Sequence, residues 1–241
     1  MQAPATASSS GLFLRQPLSD WPHNESRLVV LLSILAGMVD VSTFLMLGAF
    51  SAHITGNLAV LAAASVRGGS LNLIQALAIP AFMSATAIIW TIANVSQKCG
   101  ADLARLLLWV QALLLATVSI VAIFERPSAS PHGFVAGIAV MLAVSAMACQ
   151  YALLRLVFPD VLSTASMTGN LTNAVLAFMG LLSRAQPGVE IPAIRLWESL
   201  PMLIGFIVGC IIAAAAISLL KDVAWLLSFA LATGIAVRPP R

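Results

Sequence analysis

What most constrains this chain is a succession of apolar runs, each long enough to cross a lipid bilayer. Leu28 to Phe50 carries a single charge, Asp40, and is followed by Leu71 to Val95 and Leu103 to Phe124. After Glu125 to His132, a turn with two prolines, come Gly133 to Phe158, Leu200 to Leu220 and a shorter run, Val223 to Val237. A transmembrane helix needs about 20 consecutive apolar residues. These runs use most of the 241 residues, and only 9% of the chain is charged. Soluble domains carry about 25% charged residues because their surface must face water. The sequence therefore predicts an all-α membrane protein, a polytopic helical bundle of about six full spans, with the lipid bilayer as its main partner. The net charge of +3 does not point to nucleic acid, because the 12 basic residues are scattered between the apolar runs, where they set membrane orientation.

Two further segments do not fit the simple count, and both carry the same motif. Ile54 to Val66 is too short to span, and Val161 to Ser183 opens on small and hydroxyl residues. Ala52-His53-Ile54-Thr55-Gly56-Asn57-Leu58 matches Ala165-Ser166-Met167-Thr168-Gly169-Asn170-Leu171 at five of seven positions, 113 residues apart (168 minus 55). Each motif follows one long run and precedes others. The chain thus divides into a disordered cytoplasmic tail (1–27), a first membrane repeat (28–124) and a second (133–237).

Charge counts orient the repeats. If both motif segments enter the membrane and return, and the tail is cytoplasmic, nine basic residues face inward and three (Arg67, Arg126 and Lys221) face outward. If both segments span, the division is eight against four. The positive-inside rule favours the first arrangement. It gives three crossings per half, hence inverted halves with both termini cytoplasmic, a plan common among transporters with discontinuous helices.

Within hydrocarbon, a glycine-centred break is tolerated only where protein or a water-filled cavity surrounds it. Thr55, Gly56, Asn57 and Thr168, Gly169, Asn170 are accordingly read as interior. Their short polar groups and close backbone approach suit a bound solute, and the free amides at a helix start favour an anion. The competing reading makes both motifs helix caps and packing notches. Asp40 inside a span costs at least about 2.5 kcal/mol unless it is paired, which marks it as a candidate proton or cation site. His53 and Gln150 complete the candidate substrate-binding set. Arg155 is read as a cytoplasmic anchor. Gly205 and Gly209 read as a close helix-packing pair, within the chain or in a homodimer. Cys99, Cys149 and Cys210 have no paired spacing, and no metal or cofactor motif is present.

Gly37-Met38-Val39-Asp40 followed by Phe50-Ser51-Ala52-His53-Ile54-Thr55-Gly56-Asn57, with Gln150-Tyr151-Ala152 and Met167-Thr168-Gly169-Asn170 in the second half, resembles the YoaK-like (DUF1275) family of bacterial membrane proteins. The resemblance covers about Arg27 to Leu220. It implies a multi-pass protein of the bacterial inner membrane and brings no established substrate. The expected function is transport of a small, anionic solute through a site at the paired motifs, with Asp40 coupling protons. The alternative is a scaffold or assembly factor that transports nothing. An enzyme is not expected, since Asp40 and His53 alone make a poor catalytic set.

Overall fold

The computed structural model describes residues 23–67, 72–99, 102–158, 163–164, 167–182 and 194–238. The tail expected over 1–27 lies almost wholly outside the described residues, as do Ala165 and Ser166 of the second motif. Among the described residues the chain is helical. The long helices are α1 (His23–Leu47), α3 (Leu73–Cys99), α4 (Leu103–Glu125), α5 (Phe134–Leu156) and α7 (Ile194–Leu220). The shorter ones are α2 (Ile54–Val66), α6 (Met167–Leu182) and α8 (Trp225–Val237), with short 3-10 turns at Pro127–Ala129 and Lys221–Ala224. Five stretches are long and apolar enough to cross a membrane, and the fifth, Ser199–Val237, runs through both α7 and α8. In lipid only a helix satisfies its own backbone along its whole length, so these runs become helices rather than strands.

Local chemistry sets the breaks. Gly48 ends α1 in the left-handed conformation, with φ of 72°, and its amide bonds back to the Phe44 carbonyl at 3.1 Å. Asp102 starts α4 by accepting the Arg105 amide at 3.2 Å. At the far end of α4, Arg126 is left-handed and Pro127 follows it. A second left-handed residue, Lys221, separates α7 from α8.

The centre of the bundle belongs to α1 and α5, whose spans are 67% and 72% buried, against 22% for α3. α1 packs along α7, and α5 packs along α3; α4 lies against α5 and α8, and α8 also touches α1. α2 packs on α3 as α6 packs on α7. α1 and α7 run in the same direction, since Gly205 lies under Val30 and Gly209 under Ile34. This seam is very close. A Cβ on Gly209 would overlap the Ile34 carbonyl, one on Gly37 would overlap the Phe206 carbonyl, and one on Gly205 would stand 3.0 Å from the Val30 oxygen. The Gly205 and Gly209 pair is thus used inside the chain. α3 and α5 also run in parallel, with Ile74 beside Gly137 and Phe82 beside Tyr151. α3 and α7 are each 27 residues long with a proline at the eighth position, Pro80 and Pro201.

Candidate functional site

The site is built where α1 ends and the chain folds back on it. Asp40 sits two turns before the end of α1 and is 4% exposed. The segment from Gly48 to His53 doubles back along α1 and presents three successive amides to one carboxylate oxygen. Asp40 Oδ1 accepts from the backbone N–H of Ser51 at 2.9 Å, Ala52 at 2.7 Å and His53 at 3.3 Å. Its Oδ2 lies 2.6 Å from His53 Nδ1. A carboxylate is an acceptor only, so this contact assigns the Nδ1 proton to histidine. Four donors therefore meet the two oxygens, which is what a buried charge requires.

The rest of the turn is accounted for group by group. Gln75 Nε2 donates to the Gly48 carbonyl at 2.7 Å. Asn57 serves Phe50 twice, accepting its amide at 2.8 Å and donating to its carbonyl at 2.7 Å. Thr43 donates to the Ser51 hydroxyl at 3.0 Å, and the Tyr151 hydroxyl reaches across from α5 to the Ala52 carbonyl at 2.9 Å. Gly56 donates its amide to the His53 carbonyl at 2.8 Å. A side chain there would press on Phe50, whose ring stands 3.1 Å from the added Cβ and stacks on Phe44 at 4.3 Å. The polar groups of the irregular backbone thus find partners within the protein.

His53 is the one member of the pair with an open face. Its side chain is 36% exposed against 5% for Asp40, and its ring meets Phe206 of α7 edge-on at 5.3 Å. Thr55 points outward and is exposed. Asp40 takes the amides of Ser51, Ala52 and His53, just ahead of the first turn of α2.

The second turn follows the same spacing with different partners. Asn170 Nδ2 donates to the Ser163 carbonyl at 3.0 Å, seven residues back, as Asn57 does to Phe50. Gln150 is fully buried and donates to the Leu32 carbonyl at 2.9 Å and the Thr164 hydroxyl at 3.1 Å. It also accepts from Gln111 at 2.9 Å. One side chain thereby ties α1, α4, α5 and the approach to the second motif. Thr168 is exposed, Gly169 half-buried, and Arg155 exposed near the end of α5. Asp40 plus 113 is Leu153, so the second turn has no carboxylate at the matching position.

Asp40, His53 and Asn57 are therefore brought together, while Gln150 and Asn170 sit at the other turn. Thr43, Gln75, Gln111 and Phe206 belong to the two networks without having been singled out from sequence, and Ser51 and Tyr151 stood there only within the family motifs, with no role assigned. A buried lone tyrosine in an apolar run was a usable signal, since a phenol hydroxyl in such a place needs a partner. Among the described residues no three His, Cys, Asp or Glu side chains cluster as metal ligands.

Comparison with curated proteins and with solved structures returned no match. A family model described as a protein of unknown function (DUF1275) matches residues 28–237, most of the chain. With spans, turns and motifs all inside that match, the chain belongs to the DUF1275 family.

Proposed function

We propose that this protein is a small-solute transporter of the cell membrane, made of two oppositely oriented halves, in which the Asp40–His53 pair carries the coupling proton. The observation behind this reading is the pair itself: a carboxylate inside a membrane-crossing helix, neutralised by the start of an interrupted helix and by a histidine with one open face. Ionisable side chains at such depth are costly and mark ion or proton routes. Helices that begin within the membrane are where transporters of inverted-repeat design bind solute and coupling ion.

Several features support the inverted halves. Exchanging α1 to α4 with α5 to α8 carries each major packing pair onto another, or, for α4 with α8, onto itself. The two asparagines make the same seven-residue bond, and the paired 27-residue helices share the position of their proline. The contact of Gln75 with Gly48 draws the start of α3 to the end of α1, which fits a chain that descends along 48–53 to the Asp40 level and returns through α2. Arg67, Arg126 and Lys221 then share one end, and Arg27, Arg105, Arg155 and Arg238 the other, the division that the positive-inside rule favours.

The second reading is a scaffold that transports nothing. It is favoured by the use of Asn57 and Asn170 on loop carbonyls while Thr55 and Thr168 face outward. Uptake of a panel of small carboxylates, phosphates and neutral solutes into proteoliposomes, with and without a pH gradient, separates the two. Transport by the wild type that loses its gradient dependence in Asp40→Asn and His53→Gln supports the coupling role. No uptake of any solute by folded protein favours the scaffold. Arg67→Cys and Arg126→Cys should be labelled from one face of the membrane and Arg238→Cys from the other; labelling of Arg67→Cys from the same face as Arg238→Cys would remove the inverted halves.

A further inference from the structure

The two parallel seams of the bundle are closed to different degrees. The α1/α7 seam is zipped by Gly37, Gly205 and Gly209. The α3/α5 seam meets beside Tyr151 but parts towards the start of both helices. A cavity of about 410 Å³ opens there, among Ile74, Leu77, Ile138, Met141 and Leu142, with His132 at its rim. This volume falls in the range of small-molecule sites, about 300 to 1,000 Å³. We infer that this pocket holds the acyl tail of a bilayer lipid, with the lipid's polar head at the rim beside His132.

The lining selects a tail rather than a polar solute. The hydroxyl of Ser145, a polar side chain in the wall, is already donated to the Met141 carbonyl at 2.8 Å. The mouth is framed by lipid-facing side chains, Leu73 at 67% exposure, Leu77 at 47% and Phe134 at 84%. The rim lies at the 126–133 turn, where the chain leaves the span and exposed His132 stands. A tail can therefore run down between α3 and α5 while its head stays at the interface. The inference does not rest on the transport reading.

Gly137 supplies the means of testing it. A Cβ there would meet only Ile74, at 3.8 Å, an ordinary contact, so a larger residue at 137 grows into the cavity rather than into backbone. The experiment reconstitutes the full chain in liposomes of phosphatidylethanolamine and phosphatidylglycerol doped with a diazirine-tailed phospholipid, and maps the photolabelled residues. Wild type is expected to label Met141 and Leu142 above Ile211, an exposed residue on α7 outside the pocket. Gly137→Leu should lower the pocket labels to the Ile211 level and leave Ile211 unchanged. Leu77→Trp, which fills the mouth from the opposite helix, gives the same reading should Gly137→Leu not fold. Pocket labelling no higher than Ile211 in the wild type would overturn the proposal. So would labelling that survives both substitutions.

Discussion

Before α2 the chain is held by a carboxylate, and before α6 by an amide. Asp40 gathers three backbone amides and a histidine, whereas at the second turn Gln150 reaches Thr164 and Leu153 stands where a carboxylate would be. The asparagine brace is common to both. Shared bracing with unshared charge teaches that an asparagine in the first turn of each short helix holds the chain seven residues before it, while among the described residues the Asp40–His53 pair stands at the first turn alone.

The largest expected effect tests that difference directly. Asp40→Ala strips a buried pair of one partner and leaves three amides without acceptors, at a cost of about 3 to 5 kcal/mol. Gln150→Ala, at the other turn, should cost about 1 to 3 kcal/mol. Unfolding midpoints in detergent measure both, and equal losses would break the contrast. The two seams provide the next test. Gly209→Ala forces the α1/α7 contact apart, for about 1 to 3 kcal/mol, while Gly137→Ala on the α3/α5 side should stay within about 0.5 kcal/mol. A large loss from Gly137→Ala would show that seam to be as tight as the other. Asn57→Ala frees both Phe50 groups and should cost about 1 to 2 kcal/mol, with proteolysis appearing between Gly48 and His53. Tyr151→Phe should cost about 0.5 to 1.5 kcal/mol, for the one hydrogen bond from α5 to the Ala52 carbonyl.

The spans were legible because twenty apolar residues in a row admit few other fates; the break expected at Gly56 falls instead between Gly48 and His53, and Thr55, Gly56 and Asn57 lie in the first turn of α2. Asp40 stood out as a charge in an apolar run. Its closeness to His53 was not legible, since Gly48 had to reverse the chain first. The role of Tyr151 was hidden by the 99 residues that separate it from Ala52, and that of Gln75 by its 27-residue reach to Gly48. The matched prolines escaped a search at the motif's offset, because Pro80 and Pro201 lie 121 residues apart (201 minus 80) rather than 113. Eight added residues between the second motif and α7 account for the shift.

Tyr151 is the one tyrosine in the chain, and its hydroxyl rests on the carbonyl between Ala52 and His53. Tyrosine labelled with 13C or 19F would therefore give a single resonance from the full-length protein. That resonance would report on the backbone beside the Asp40–His53 pair, with no engineered probe and no mutation in the bundle.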